Sequence, residues 1–278
     1  MIQWFMAHGI KIIVILIAAL IINRAGRKFI GKAIKKVVKD TIEEETQKRQ
    51  KTLIRIFSGA LKVIVWLIVI MTILPELGVN VGPILAGAGI LGVALGFGAQ
   101  YMIRDFLAGL FIILENQYRV GDVVCLDDTC GFVEDVTLRK TIMRDLDGKV
   151  MHIPNGSFKM AANLTKDYSR AHMNVTVAYK EDFDRVRGII NRVGKEMAED
   201  EPWKGYIKKP IQVLGPGPDK FGDSGVEIKV LGETKPLKQW DTLREFRRRL
   251  KKVFDEEGVE IPFPQMSIWP RGPWEKGK

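Results

Sequence analysis

Three glycines in this sequence have the spacing of a turn that binds the phosphates of a dinucleotide. Gly87, Gly89 and Gly92 form the pattern Gly-x-Gly-x-x-Gly, and Asp105 follows near the distance at which an acid would bind the ribose. That turn needs a strand before it and a helix that opens at its third glycine. Here glycine and alanine continue through Ala99 within one apolar run, so the pattern does not predict a nucleotide site.

The other residues that could do chemistry are few and scattered. The histidines lie far apart, at His8, His152 and His172, and the motifs of zinc proteases, serine hydrolases and phosphate-binding loops are absent. Cys125 and Cys130 alone supply neither a disulfide framework nor a four-ligand zinc site. We expect them to be small, reduced thiols. The sequence therefore predicts no catalytic residue, no metal and no cofactor.

Glycine-rich segments have a different use in membrane helices. Each glycine costs a water-exposed helix about 1 kcal/mol, so a run of them needs a reason. In lipid, small side chains let helix backbones approach closely, and identical helices from several subunits can pack flank to flank on such a surface. A closed bundle or a dimer without a pore would use the same surface. The predicted packing positions are Gly87, Gly89, Gly92, Ala94, Gly96 and Gly98.

Two large apolar residues inside this small-residue run favour a pore. Val93 and Phe97 are four residues apart, which puts them one turn apart on one face of a helix. In a ring of subunits they would form two apolar collars, and a narrow apolar collar excludes water and ions until it widens. We therefore predict a hydrophobic seal at these two positions. No ring of Lys or Asp accompanies them, so strong ion selectivity is not expected from the membrane part.

Long apolar stretches in the chain are expected to position these residues in a membrane. Three segments reach the roughly 20 residues that cross a bilayer, at residues 3–23, 54–74 and 81–114. As a straight helix the third would be about 51 Å long, which exceeds a hydrocarbon core of about 30 Å. We therefore expect it to break near residues 101–105.

The carboxyl-terminal half of this third segment is expected to join the membrane domain to the next domain of the chain. An apolar half-helix around Gly109 would lie on top of that domain. Arg104 and Asp105 could instead anchor the helix at the interface or pair with each other. The residues expected to bend or couple the helix are Gln100, Tyr101, Arg104, Asp105 and Gly109.

Positive charge is concentrated between the first two apolar segments. Arg24 to Lys62 contains twelve Lys or Arg and four Asp or Glu, whereas Pro75 to Asn80 contains one Glu and no Lys or Arg. The positive-inside rule then puts the first loop in the cytoplasm and the amino terminus outside. This placement accounts for much of the net charge of +10 without nucleic acid. An RNA-binding module is also not expected, because Val120 to Ile153 lacks an aromatic stacking platform.

The hydrophobic pattern changes to a period of two after Glu115. Short apolar runs separated by turn residues predict a β domain of about five strands over residues 115–172, after a membrane domain of residues 1–114. Residues 173–278 read as strand, helix, strand, strand, helix and strand, the last at Met266 to Trp269. This order fits an α+β domain of ferredoxin-like type, with apolar stripes on both helices.

Several short sequence motifs are similar to those of the small-conductance mechanosensitive channel (MscS) family. The resemblance extends from Val81 to about Pro270, and the first two spans agree in number and orientation more than in sequence. These motifs are the small-residue run that ends at Gln100, Phe106-Leu107-Ala108-Gly109, Arg119-Val120-Gly121-Asp122, Asp147-Gly148-Lys149, Ile153-Pro154-Asn155-Gly156 and Phe263-Pro264-Gln265-Met266.

The resemblance implies a fold and an activity. The fold would be a membrane domain of three transmembrane helices, a small Sm-like β domain and the α+β ferredoxin-like domain, the last two in the cytoplasm. Seven identical subunits would surround a pore in the plasma membrane. Tension in the surrounding lipids would open it and release ions and small osmolytes on hypo-osmotic shock. The alternative is a membrane-anchored oligomeric binding module without a pore.

The resemblance also assigns residues, with two departures from the family pattern. Val93 and Phe97 take the positions of the apolar seal, where two leucines are familiar, and Ala94 and Gly96 take packing positions between neighbouring pore helices. Tyr101 stands where a glycine often follows the pore-helix glutamine. Bending at that point therefore lacks its usual residue.

Overall fold

The computed structural model describes residues 8–38 and 43–268. The chain forms two units, Met1–Gly98 and Ala99–Lys278, and the division falls inside the third helix. The first unit is helical, whereas the second contains both sheets of the protein's described part.

Two antiparallel helices form a hairpin in the first unit. Helix α1 spans Ile10–Val37 and helix α2 spans Glu43–Glu76. They approach closely, because a Cβ atom added at Gly26 would lie 2.3 Å from Leu61 Cδ2. The side chains buried between them are Ala19, Val65 and Val69.

A small ionic cluster joins the beginning of α1 to the end of α2. Lys11 Nζ lies 3.1 Å from Glu76 Oε1, and the His8 ring hydrogen-bonds the other carboxylate oxygen of Glu76. These contacts hold the helix ends together beyond the apolar contact between them. The sequence pattern did not predict this cluster, because Lys11 lies inside an otherwise apolar run.

Helix α3 spans Gly82–Leu114 and crosses from the first unit into the second. The Asn80 side chain accepts a 2.9 Å hydrogen bond from Gly82 N–H at its start. Helical structure continues without interruption to Leu114. The predicted break near residues 101–105 is therefore not a gap in the helix, since Tyr101, Arg104 and Asp105 are all compatible with helical backbone. A change in the direction of the axis there stays a prediction.

Two of the described helices, α2 and α3, are long and apolar enough to cross a membrane. Helix α1 also contains a long apolar run, but Lys11, Arg24 and Arg27 flank it. Residues 3–7 of the first predicted span lie outside the described residues. The expected first span is therefore seen in part, as the apolar portion of α1.

The second unit begins with a five-stranded antiparallel sheet, as predicted. Its strand order is β4-β3-β2-β1-β5. Alternate residues of β1 to β3 face a small core, to which α3 contributes Ile112. The strands are β1 (Val123–Leu126), β2 (Thr129–Val136), β3 (Lys140–Arg144), β4 (Val150–Pro154) and β5 (Ala161–Asn163).

An α+β domain comes next, with its sheet in the order β6-β9-β7 and β8 paired to β9. Two amphipathic helices cover the sheet, and their predicted apolar stripes are largely buried. Asp182 caps the first of them by accepting a 2.8 Å hydrogen bond from Arg185 N–H, and Gly258 ends the second with φ of 68°. The elements are β6 (Ser169–Val177), α4 (Phe183–Glu199), β7 (Ile207–Val213), β8 (Lys220–Phe221), β9 (Val226–Thr234) and α5 (Gln239–Glu257).

The last predicted strand does not form in the described part of the chain. Residues 259–268 have no regular structure, and Trp269 lies outside the described residues. The carbonyl of Glu260 accepts a 3.0 Å hydrogen bond from Ala178 N–H, and Gln265 N–H donates one of 3.0 Å to the Ser224 side chain, but these two bonds do not make a strand ladder. Pro262 and Pro264 remove two backbone donors, which disfavours a ladder in this segment. Within one protomer the apolar alternation of Phe263, Met266 and Ile268 finds no partner strand.

Candidate functional site

The amino-terminal half of α3 is apolar and largely uncovered. Both predicted seal residues are on its surface, with Val93 60% and Phe97 71% exposed. The predicted packing glycines are equally open: a Cβ atom added at any of five positions would find no heavy atom within 4 Å. These positions are Gly87, Gly89, Gly92, Gly96 and Gly98.

An uncovered apolar helix of this length is not compatible with a monomer in water. Lipid tails or identical helices of further copies could cover it. Val93 and Phe97 are about 40° apart around the helix, while Leu95 lies on the opposite side, at about 100° per residue. One face can therefore be turned towards a pore while another faces lipid.

The carboxyl-terminal half of α3 is held against the β domain. Three residues on one face of it are buried: Asp105, Gly109 and Ile112. They occur at intervals of four and three residues, the spacing of one helix face. Ile112 enters the core of the β domain together with Val124 and Val133. This half of the helix is thus fixed by the β domain, in contrast to the open surface around Phe97.

Gly109 allows the closest approach in this contact. A Cβ atom at Gly109 would lie 2.0 Å from Leu138 O and 2.4 Å from Asn155 Nδ2, so no larger residue fits without movement. One turn earlier, Asp105 Oδ1 accepts a hydrogen bond of 3.1 Å from Gly156 N–H. Asp105 is 7% exposed. The helix is therefore joined to the loop after β4 by both a steric fit and a hydrogen bond.

A chain of buried hydrogen bonds holds this loop from the other side. Asn155 Nδ2 donates to Thr137 O at 2.8 Å and Leu138 O at 3.1 Å, and Asn155 Oδ1 accepts from Thr141 Oγ1 at 2.9 Å. Thr141 also bonds the Tyr118 hydroxyl at 2.9 Å. Burial raises the pKa of Tyr118, whose hydroxyl is protonated at neutral pH even at the ordinary tyrosine pKa of about 10. The buried polar groups that support this loop are thus hydrogen-bonded to one another, and the loop presents a rigid surface to α3.

The other predicted bending or coupling residues face outward. Gln100 and Tyr101 are exposed. The Arg104 guanidinium lies 5.1 Å from the centre of the Tyr101 ring, a cation–π contact. In the described structure Arg104 and Asp105 do not pair with each other: Asp105 accepts from Gly156 N–H, whereas the Arg104 side chain lies over the Tyr101 ring and beside Gly156.

The two cysteines are bonded, contrary to the expectation of reduced thiols. Cys125 and Cys130 form a disulfide with an S–S distance of 2.06 Å. They are directly opposite each other in the β1–β2 register, and this pairing brings their side chains together on the outer side of the sheet. The described residues contain no group of three or more His, Cys, Asp or Glu that could hold a metal.

Sequence reasoning missed several residues of the α3 contact. Ile112, Asn155, Gly156, Thr141 and Tyr118 all support it. The Ile-Pro-Asn-Gly motif at residues 153–156 could have indicated a structurally important loop, but the residues that it contacts lie far away in sequence. Only the folded chain brings Asp105 to Gly156, 51 residues later.

Three consecutive parts of the chain match sequence models of ion-channel families. Residues 59–100 match "Mechanosensitive ion channel, transmembrane helices 2/3", residues 101–166 match "Mechanosensitive ion channel, beta-domain", and residues 171–261 match "Mechanosensitive ion channel MscS, C-terminal". Together with the long apolar helices and the two sheets, these matches define the class: a membrane protein built like the mechanosensitive channels.

Sequence relatives narrow this class. The chain is 32% identical over 268 residues to the small-conductance mechanosensitive channel of Caldanaerobacter subterraneus subsp. tengcongensis, covering 94% of this chain and 92% of that protein. It is 33% identical over 222 residues to the moderate conductance mechanosensitive channel YbiO of Escherichia coli, covering 80% of this chain and 30% of that protein. The chain belongs to the MscS family.

Solved structures agree in fold. The closed-state crystal structure of Helicobacter pylori MscS superimposes with a TM-score of 0.65 at 21% identity, covering 93% of this chain and 99% of that chain. Arabidopsis thaliana MSL1 gives a TM-score of 0.59 at 17% identity, covering 94% and 96% of the two chains. The predicted fold class is therefore confirmed.

Proposed function

We propose that this protein is a subunit of an ion channel that opens when membrane tension rises. Copies of α3 would surround the pore, and Val93 and Phe97 would close it as stacked apolar collars. Opening would release ions and small osmolytes on hypo-osmotic shock. No chemical step is involved, and the family consists of channels rather than enzymes.

The observation that carries this proposal is the contrast between the two halves of α3. The half around Phe97 is uncovered and its glycines have no neighbours, whereas the half around Gly109 is held by the β domain. A helix that is fixed at one end and open along its small-residue face is suited to side-by-side packing with copies of itself. Tension would favour wider spacing of those copies, because a wider ring has a larger area in the membrane.

We further propose a homoheptamer in the plasma membrane, with the amino terminus outside and both sheet domains in the cytoplasm. The cations of α1 and α2 support this orientation under the positive-inside rule, since the turn between α2 and α3 has none. The number of seven derives from the family resemblance. We likewise propose that the membrane domain ends at residue 114 and the β domain at residue 172.

The test is to record currents from the purified protein in pure lipid while suction is applied, with Phe97→Ser as the variant. A hydroxyl in the collar wets the closed pore, so we expect current at zero suction. Leu95→Ser is the matched control, because Leu95 is similarly exposed, at 74%, and lies on the other side of α3. It should need the same suction as the parent.

Two outcomes would count against the proposal. If Phe97→Ser stays closed at zero suction and opens like the parent, the collar is elsewhere. If the parent gives no current at any suction below membrane rupture, the oligomeric binding module without a pore becomes the better account.

A further inference from the structure

The disulfide of the β domain lies outside the core of that domain. Cys125 on β1 and Cys130 on β2 are opposite each other, and their side chains share the outer side of the sheet. The alternate residues Val124, Leu126 and Val133 face the other way and are buried in the core. Cys125 is half-buried and Cys130 is exposed. The core of the domain therefore does not use the two cysteines.

The disulfide also closes a very short loop. The two cysteines are five residues apart, and the β1–β2 ladder already aligns the strands from the pair Val123–Phe132 to the pair Leu126–Thr129. The stabilisation that a disulfide gives through loop closure falls as the loop becomes shorter. Disulfides are essential chiefly in small secreted domains that lack a sufficient core. We therefore expect the hairpin to fold with both thiols reduced.

The compartment gives this disulfide a different meaning. The channel proposed above has its β domain in the cytoplasm, and the further inference rests on that placement. Thiols in the cytoplasm are kept reduced, and the disulfides that form there are usually transient and sense the redox state. A disulfide that folding does not need is suited to reversible formation in such a compartment.

A groove in the second unit makes Cys130 accessible. Its volume is about 710 Å³, and Cys130 lines it together with side chains of the β domain and of α5. Phe132, Leu164 and Trp240 are among its apolar residues. A small peptide thiol fits into a groove of this volume. Because Cys130 is exposed and Cys125 is half-buried, a dissolved oxidant meets Cys130 first.

The turn that the disulfide closes also holds the edge strand β5. Asp127 N–H donates a 3.0 Å hydrogen bond to Met160 O, and Asp127 Oδ1 accepts from Met160 N–H at 3.0 Å and from Lys159 N–H at 3.1 Å. Cys125 itself is opposite Ala162 of β5. Strand β5 has only three residues. A bond across the hairpin therefore restrains the turn on which β5 depends.

We propose that Cys125 and Cys130 form a reversible thiol-oxidation site, which exchanges with low-molecular-weight disulfides such as glutathione disulfide. The Cys130 thiolate attacks one sulfur of the small disulfide, and one small thiol leaves. The Cys125 thiolate then attacks Cys130 Sγ of the mixed disulfide, and the second small thiol leaves. The cysteines lose two electrons and two protons, which the small disulfide takes up as it becomes two thiols. Strand β5 is held more firmly in the oxidised form.

The full-length protein in detergent tests this site, with reduced glutathione and glutathione disulfide as the probes. Alkylation followed by mass spectrometry counts the free thiols. We expect two free thiols after reduced glutathione, none after glutathione disulfide, and repeated cycling between the two states. Hydrogen–deuterium exchange of the peptide of residues 158–163 should be at least about threefold faster in the reduced form. Residues 186–197 of α4 are the internal control and should exchange equally in both forms.

Single substitutions test the separate roles of the two thiols. Cys125→Ser keeps the exposed thiol and removes the one that closes the bond, so a stable mixed disulfide with one glutathione should accumulate. Cys130→Ser keeps the half-buried thiol, which should react at least about tenfold more slowly. Cys125→Ser combined with Cys130→Ser should show the fast exchange of the reduced form at residues 158–163, whichever form of glutathione is present.

Four results would overturn the proposal. The first is a pair that stays bonded in millimolar reduced glutathione, and the second is a pair that is already bonded in growing cells quenched with acid. The third is equal reaction rates of the two single variants, and the fourth is equal exchange of residues 158–163 in both forms. None of these measurements uses a current, so they fail or succeed separately from the recordings under suction that test the channel.

Discussion

At the scale of single residues, the contact between α3 and the β domain depends on two small features. Gly109 has no room for a Cβ atom, and Asp105 accepts one hydrogen bond from the backbone at Gly156. Both residues could be suspected from the sequence, Gly109 as part of a family motif and Asp105 as a charged residue near the membrane. Their partners could not, because they depend on the backbone path of residues 137–156.

Asp105→Leu should release the loop after β4 from α3. The substitution removes the acceptor of Gly156 N–H and leaves that donor unpaired in a partly buried position, which costs about 1–3 kcal/mol. We expect hydrogen–deuterium exchange at the Gly156 amide to rise at least about tenfold. Mass spectrometry of the peptide containing residues 153–158 measures it.

Asp105→Asn is the control for this prediction, because its amide oxygen can still accept from Gly156 N–H. Exchange in this variant should stay close to that of the parent. Equal protection in the leucine variant would mean that steric fit at Gly109 alone holds the contact.

At the scale of elements, the spacing of apolar residues predicted most helices and strands. The elements that it did not predict correctly depend on contacts with distant parts of the chain. The stripe of Val186, Ile189, Ile190, Val193 and Met197 is buried as the pattern of α4 predicts. The β domain likewise agrees with the alternation and the turn residues. The strand expected at Met266 has the right alternation but no neighbour within one chain, and pairing partners are not part of a local pattern.

In the hairpin of α1 and α2, helix propensity predicts more than the apolar pattern alone. Apolar runs predicted its two spans, but each helix extends beyond its run by many residues. Charged residues such as Arg24 and Lys51 are good helix formers, so the change from apolar to basic residues alters the surroundings of the helix without ending it.

The same substitution at two glycines of α4 should have opposite effects. A Cβ atom at Gly194 would lie 1.9 Å from Ile211 O, in the contact between α4 and β7, whereas one at Gly188 would meet nothing within 4 Å. Gly194→Ala should therefore destabilise the α+β domain by about 1–3 kcal/mol. Gly188→Ala should stabilise it by up to about 1 kcal/mol through helix propensity.

Thermal unfolding of the full-length protein in detergent, followed by tryptophan fluorescence, measures both effects, since Trp203 packs against the core of this domain. The melting temperature should fall for Gly194→Ala and rise slightly for Gly188→Ala. A Gly194→Ala protein that melts like the parent would show that β7 moves away without cost.

At the scale of the whole molecule, the membrane unit is incomplete in one chain. Its third helix has an open small-residue face, while the β and α+β domains each have a closed core. The sequence could predict this face, because glycine in lipid is explained by helix packing. It could not predict how many copies would gather, since that number depends on the angle between neighbouring helices.

Gly96→Leu should impede the packing of neighbouring α3 helices. A leucine there fits the open surface of one chain, so we expect each protomer to fold normally, but it would separate the backbones of adjacent copies. The suction needed to open the channel should change, or opening should be lost. Gly31→Leu, at an equally open glycine of α1, is the control and should behave like the parent.

Patch recordings with pressure control measure the threshold for both variants. Equal thresholds for the parent and Gly96→Leu would exclude close contact at this position.

The open face of α3 also bears on inheritance. In the proposed ring, chains that pack through the same glycines cannot distinguish an intact copy from one that is faulty elsewhere, so a cell expressing both would build mixed rings at random. In the proposed ring of seven, an equal mixture would leave about 1% of assemblies free of the faulty copy. An allele whose product still enters the proposed ring but impairs the pore would therefore be dominant over a normal one.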